Sequence, residues 1–276
     1  MKISLGFSPC PNDTFIFDAM VHGKIDTEGL TFDYFLSDVE ELNRKAFAGE
    51  VDVTKISCHA YAYIGDDYKI LDSGGALVYG SGPLLIGKRH INEPDLKDSR
   101  IAIPGKYTTA NLLFSIAWPE AQNKTEYLFS AIEDILLKDK ADAGLIIHET
   151  RFTYQKKGLV KIADMGDFWS ALTGLPIPLG SIIIKRTIPD DVALKVNRVL
   201  RRSIEHARHD STSPFDFVRS NAREMDSSVM NSHIKMFVNS FSIDLGKTGR
   251  EALTELFRIA HEKGVTPAVP NDIFLT

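Results

Sequence analysis

His148 closes the short apolar run Gly144-Leu145-Ile146-Ile147 and is followed by Glu149. A run of that length suits a buried strand, and in α/β folds ligands sit outside the carboxyl ends of the strands. A neutral imidazole held there is the natural general base near neutral pH. A histidine whose hydrogen bonds are met in the core or at the surface would do no chemistry, and spacing alone leaves both readings open. A second candidate is Ser8-Pro9-Cys10-Pro11-Asn12-Asp13, a loop after the strand-like residues Ile3 to Phe7. It opens a helix, where exposed N–H groups favour acceptors and anions. Its prolines stiffen the backbone, while Asn12 and Asp13 bring polar groups to the place a cleft would occupy. The plainer alternative is a turn in which Asn12 or Asp13 caps a helix beginning near Thr14. Cys10 acting as a nucleophile with His148 as its base is a further combination, but the sequence offers no group that would activate the thiol.

Thr108 and Thr109 follow Gly105-Lys106-Tyr107 and open a helix in the same way. Two hydroxyls at a helix N-terminus suit a substrate carboxylate, whereas capping would account for only one of them. The glycine–lysine spacing of a nucleotide-phosphate loop is missing. Ser57, after the strand-like run Val51 to Ile56, can hydrogen-bond a ligand or cap the next helix, and its spacing favours the cap. No metal site is expected. His206 and His209 stand among arginines without a third ligand, Cys10 and Cys58 are far apart, and no His-Glu-x-x-His motif occurs. A Gly-x-Ser-x-Gly elbow and a dinucleotide fingerprint are also missing.

These residues need a scaffold, and the rest of the sequence describes one. The 276 residues carry 32 Lys and Arg against 37 Asp and Glu, a net charge of −5. That leaves no basic surface for nucleic acid as the main partner. The longest uncharged stretch, Phe168 to Ile184, contains Gly174, Pro176, Pro178 and Gly180, which break a membrane-spanning helix. The N-terminus lacks the apolar core of a secretory signal, so a cytoplasmic location is expected. Short β-rich runs alternate with helical periods, which predicts an α/β fold. The segments 49–56 and 139–146 share one plan of helix, turn, aspartate and strand, so the layout occurs twice. Two lobes follow, the first formed by residues 1–88 with 181–276 and the second by 89–180. The chain is expected to cross between them at Leu84 to Arg89 and at the run Leu179 to Lys185, a hinge marked by two prolines and two glycines just upstream and within. After Pro189 the sequence reads as helical. Val192, Val196, Val199, Leu200 and Ile204 share one face, and further helices cover 215–223, 229–238 and 250–263.

Five motifs taken together carry a resemblance. Ser8-Pro9-Cys10-Pro11-Asn12-Asp13-Thr14-Phe15, Ser73-Gly74-Gly75-Ala76-Leu77, Gly105-Lys106-Tyr107-Thr108-Thr109-Ala110, Gly144-Leu145-Ile146-Ile147-His148-Glu149 and Thr173-Gly174-Leu175-Pro176-Ile177-Pro178-Leu179-Gly180 stand in this order. Over essentially the whole chain, the sequence resembles the 1,4-dihydroxy-6-naphthoate synthase family of the futalosine route to menaquinone. The resemblance implies a two-lobed fold like type II periplasmic binding proteins, with the ligand cleft between the lobes. It implies a cofactor-independent carbon–carbon lyase that converts cyclic dehypoxanthine futalosine into 1,4-dihydroxy-6-naphthoate and releases a three-carbon fragment, dihydroxyacetone. His148 matches the family's proton acceptor, and Lys55, Ile56, Ser57, Thr109 and Ala110 match its substrate-binding stretches. Two alternatives remain, the chorismate dehydratase of the same pathway and a solute-binding protein without catalysis. The Ser8–Asp13 loop and the Ile147-His148 motif favour the synthase over the first, and the absent signal argues against the second.

Overall fold

A computed structural model of the chain describes residues 1–222 and 226–275. In chain order its strands are β1 (Lys2–Phe7), β2 (Thr31–Leu36), β3 (Val53–Ser57), β4 (Tyr68–Ile70), β5 (Ala76–Val78) and β6 (Leu84–Gly87), then β7 (Ile101–Ile103), β8 (Lys124–Glu126), β9 (Ala143–Ile146), β10 (Val160–Asp164) and β11 (Ile177–Lys185). They form two sheets of one plan. The first runs β2-β1-β3-β11-β4, with β5 also paired to β11, and the second runs β8-β7-β9-β6-β10. In the first, β1 pairs in parallel with β2 and β3, while β11 runs antiparallel to β3 and β4. In the second, β7 pairs in parallel with β8 and β9, while β6 runs antiparallel to β9 and β10.

The repeated aspartates explain part of this likeness. Asp52, just before β3, accepts the N–H of Ser4 at 3.0 Å and its hydroxyl at 2.8 Å, tying the turn to β1. Asp142, just before β9, accepts the N–H of Arg100 at 2.8 Å, tying the corresponding turn to the start of β7. Each carboxylate satisfies a backbone donor where the parallel ladder begins.

The crossings between sheets lie outside the expected segments. Leu84–Gly87 is wholly a strand of the second sheet, because its apolar residues pair with β9 and β10. The run Leu179 to Lys185, expected to be a hinge, is instead the interior of the first sheet, with Ile182, Ile183 and Ile184 no more than 1% exposed. Pro178, just upstream, and Gly180 are accommodated by a register shift between them opposite β5. The chain therefore changes sheet between Val78 and Leu84, and again between Asp164 and Ile177. The limits 1–88, 89–180 and 181–276 accordingly assign β6 to the wrong sheet and divide β11.

The first long helix covers Pro11–Val21, starting earlier than Thr14 because Pro11 takes the first helical position; Cys10 is its N-cap and Asn12 and Asp13 lie in its first turn. Helix Asp190–His209 buries Val196, Val199, Leu200 and Ile204, as its periodicity predicts. It is pinned to the first helix by Ser203, whose hydroxyl donates to Ile16 O and accepts the N–H of Met20. The later helices are Phe215–Asn221, Ser227–Phe237, Ser240–Ile243 and Gly246–Glu262. The expected last residue of the first of these, Arg223, lies outside the described residues. One core cluster contains Ile56 and Ile70 of the first sheet, Ile101 and Leu145 of the second, and Phe114, Trp169 and Phe257 from helices. The two lobes thus rest on shared apolar packing. Among the described residues no helix is long and apolar enough to cross a membrane.

Candidate functional site

The carboxyl ends of β1 and β3 in one lobe and of β7 and β9 in the other open onto a single cavity. Lys55, Ile56, Ser57, Thr108, Thr109, Ala110 and His148 all line it, so residues far apart in sequence meet at one place. Ser8, Asn12 and Asp13 join them from the loop after β1.

In the first lobe a buried charge pair organises the wall. Asp13 accepts the Ser8 hydroxyl at 2.7 Å and the Asn12 amide at 2.7 Å, and lies 3.3 Å from the Lys55 ammonium. Lys55 and Asp13 are 6% and 1% exposed, which a lone charge could not sustain. Ser57 does not cap the following helix. Its N–H donates to Asn43 Oδ1 at 2.9 Å, and its hydroxyl accepts from Asn43 Nδ2 at 3.2 Å. Asn43 belongs to helix Val39–Phe47, whose Glu40 accepts the N–H of Tyr107 from the other lobe at 3.1 Å. Gly105 is needed here: its φ is +157°, and a Cβ would sit 2.6 Å from Glu40 Cδ. Burial pushes the Glu40 carboxyl up from its usual range. His59, whose Nδ1 lies 3.2 Å from Thr108 O and must donate to it, is pushed down to about 4 by burial.

In the second lobe the two threonines divide the work. Thr108 is the N-cap of helix Thr109–Ala117, its hydroxyl oxygen accepting the N–H of Asn111. Thr109 instead donates its hydroxyl to Leu179 O of β11, at 2.6 Å, across the lobes. Thr109 and Ala110, the first residues of this helix, still line the cavity, where the helix dipole favours negative charge.

His148 begins the 3₁₀ turn His148–Phe152 with φ +60°, a left-handed conformation uncommon for non-glycine residues. Strain of that kind is held in place by its surroundings and is often found at sites of function. Its Nδ1 lies 3.1 Å from Cys10 Sγ, and the Phe129 ring meets it edge-on with centroids 4.8 Å apart. The first-lobe loop and the second-lobe histidine are therefore in direct contact.

Two cavity residues are not singled out by the sequence. Arg151, one turn beyond His148, donates to Gly82 O and lies 3.1 Å from Asp164 Oδ2. Asp164 also accepts the N–H groups of Gly82 and Gly166, at 3.0 and 2.8 Å. His233 lies on helix Ser227–Phe237, with Nε2 2.8 Å from Asn12 Oδ1 and its ring centroid 6.3 Å from that of His148. Its spacing from Met230 and Phe237 marks it as part of a buried helix face, and that is the only signal the sequence gives. Burial, with His148, Lys55 and Arg151 nearby, holds His233 well below the ordinary imidazole range. No three His, Cys, Asp or Glu side chains among the described residues are grouped to hold a metal ion. A histidine, two paired cations and a helix N-terminus around one cavity are an arrangement that could remove a proton from an anionic substrate.

Comparison with known proteins bears on both fold and family. Residues 3–262 match the model of a family described as Menaquinone biosynthesis. A protein of Thermus thermophilus named 1,4-dihydroxy-6-naphtoate synthase is 39% identical over 273 residues, covering 99% of each chain. The crystal structure of a protein from Archaeoglobus fulgidus superposes with a TM-score of 0.91 at 38% identity, covering 96% of this chain and 98% of that one. The alkanesulfonate-binding protein SsuA of Xanthomonas axonopodis pv. citri, at 13% identity, superposes with a TM-score of 0.71 over 98% of this chain and 96% of its own. That likeness concerns the fold: two lobes of the periplasmic solute-binding type.

Proposed function

This chain belongs to the menaquinone biosynthesis family, and we propose that it acts there as a 1,4-dihydroxy-6-naphthoate synthase, a lyase taking cyclic dehypoxanthine futalosine as substrate. The observation that carries the reading is the placement of His148 at the end of β9, in the same cavity as the N-terminus of helix Thr109–Ala117. The substrate carboxylate docks at the N–H groups of Thr109 and Ala110, where the helix dipole favours an anion. Lys55, Ile56 and Ser57 form the opposite wall, and the Lys55–Asp13 pair fixes it. If Nδ1 carries the proton toward the Cys10 sulfur, Nε2 is the basic nitrogen of His148. It removes a substrate proton, a carbon–carbon bond breaks with loss of dihydroxyacetone, and aromatisation of the naphthoate drives the step. No cofactor enters this scheme. The contacts of Thr109 with Leu179, of Tyr107 with Glu40 and of Thr108 with His59 hold the lobes together over the ligand and keep water from it.

The test is incubation of the chelator-dialysed enzyme with cyclic dehypoxanthine futalosine, followed by mass spectrometry. The expected result is the naphthoate and dihydroxyacetone in equal amounts. Substrate recovered unchanged from a tight complex would overturn the reading in favour of a solute-binding protein. The 3.1 Å Cys10–His148 contact also admits a covalent route through the thiol. Cys10→Ser distinguishes the two, since an orienting cysteine leaves most turnover in place and a nucleophile does not.

A further inference from the structure

His233 sits at the end of a hydrogen-bonded chain whose direction can be worked out donor by donor. Asp13 accepts from Ser8 and from the Nδ2 of Asn12, with the Lys55 ammonium beside it. A carboxylate cannot donate to Asn12, so the Asn12 amide must present Nδ2 to Asp13 and Oδ1 to His233. That oxygen only accepts, so His233 Nε2, 2.8 Å away, carries the proton. A neutral imidazole has one N–H, and His233 stays neutral because burial and the neighbouring cations Lys55 and Arg151 disfavour a second proton. Its Nδ1 is therefore a bare lone pair. This nitrogen is buried and has no hydrogen-bond partner among the described residues, although His233 lines the cavity. A buried acceptor left unmet is costly and uncommon in native structures.

Taking the synthase reading as given, we propose that His233 Nδ1 accepts a hydrogen bond from a hydroxyl of the substrate's sugar-derived part, and that Asn12 and Asp13 hold the tautomer that allows it. A lone pair at that point welcomes a neutral O–H donor and repels a carboxylate. The substrate's polarity along the cavity is fixed as a result: the acid end lies toward Thr109 and Ala110, the hydroxyl end toward His233. His233 is thus a binding and specificity residue, while His148, its ring 6.3 Å away, takes the proton.

Two substitutions separate this role from a purely structural one. His233→Gln keeps a donor for Asn12 but has no acceptor near the Nδ1 position. His233→Asn keeps an oxygen near Nδ1 but gives up Asn12. The proposal expects His233→Gln to fold normally and to raise KM roughly ten- to a hundredfold with a smaller change in kcat. His233→Asn should recover part of that affinity despite lower thermal stability. The reverse pattern, a normal KM in the Gln variant and loss confined to Asn, would assign His233 to structure alone. Should the Gln variant fail to fold, ¹⁵N-histidine NMR of the wild-type enzyme replaces it. There the Nδ1 signal should be that of an unprotonated nitrogen and should move when cyclic dehypoxanthine futalosine is added to a slow His148→Asn background. An unmoved signal at saturating substrate overturns the proposal. Wild-type turnover run in parallel tests the synthase reading separately: no naphthoate from the wild type sinks both, whereas normal turnover beside an unaffected Gln variant sinks this inference only.

Discussion

At the end of its third parallel strand each lobe faces the cavity, and there the two lobes part company. In the first, β3 ends in Ser57, held by Asn43 from both its N–H and its hydroxyl, and the chain passes directly into a right-handed helical turn. In the second, β9 leads to His148, whose backbone is left-handed and whose ring reaches Cys10 in the opposite lobe. The positions after the first parallel strands differ as well. One carries a proline-stiffened loop with a buried carboxylate, the other a glycine loop with a threonine cap. One scaffold used twice therefore supplies two equivalent openings, and the residues placed at them divide the labour. The first lobe anchors charge in rigid networks, and on the proposed reading the second contributes the base and the helix start that receives the anion.

The sharpest way to break this contrast is to remove the two strand-end residues in turn. His148→Asn should lower kcat by ~10²–10⁴ while naphthoate affinity changes far less. Ser57→Ala, at the matching position, should cost less than about tenfold in kcat and act mainly on KM, because one neutral hydrogen bond is worth only ~0.5–1.5 kcal/mol. Equal losses in single-turnover rate would mean that the lobes are not divided as described.

The buried ion pairs offer a second contrast, read in stability. Lys55→Met leaves the Asp13 carboxylate buried without its cation, and urea unfolding should report a loss of about 3–5 kcal/mol. Adding Asp13→Asn should recover most of it. In the second lobe Arg151→Met should cost less, since Asp164 keeps the N–H groups of Gly82 and Gly166. A larger loss from Arg151 would reverse the ranking of the two networks.

Smaller effects sharpen the picture where the lobes touch. Thr108→Ala removes a helix cap, for ~1 kcal/mol of stability. Thr109→Ala removes a bond between lobes instead, and should appear chiefly as weaker product binding, by about tenfold or less. Least conspicuous is a pH effect. His59 binds its proton at about 4 when folded, below the ordinary 6.5, because burial disfavours the imidazolium. As pH falls through 6.5 the unfolded chain takes up that proton first, so the stability is full above 6.5 and is lost between 6.5 and about 4. His59→Gln should flatten the melting temperature over that window; an unchanged slope would place the acid sensitivity elsewhere.

Sequence pattern revealed those parts of the molecule that are built by local rules. Helix Asp190–His209 was visible because its apolar residues recur at helical spacing, and His148 because it ends a short apolar strand. β11 reads as a hinge because Pro176, Pro178 and Gly180 usually punctuate a chain, whereas here Pro178 and Gly180 lie inside a sheet with a register shift between them. β8, Lys124–Glu126, is a polar edge strand with no alternation to announce it. The chemistry of the site was harder to read than its location. Nothing local joins Cys10 to His148, or Asp13 to Lys55, because the segments that carry them are far apart in sequence and meet only when the lobes are folded. His233 was hidden for another reason, since a histidine between Met230 and Phe237 looks like one more core position.

The position of β11 has a consequence for how the molecule comes together. The sheet that begins at Lys2 has a gap between β3 and β4 until Ile177–Lys185 arrives, well over a hundred residues later along the chain. β4 then gains a second neighbour only through the bridge from Ile70 to Phe274. The second sheet, spanning Leu84 to Asp164, needs nothing from so far away. Pairings of such long range carry a large loop-closure entropy and form late. The lobe whose residues leave the ribosome first is thus the last to be finished. Until β11 inserts, the edges of β3 and β4 stand open, and it is in that interval that the nascent chain is most exposed to wrong pairing.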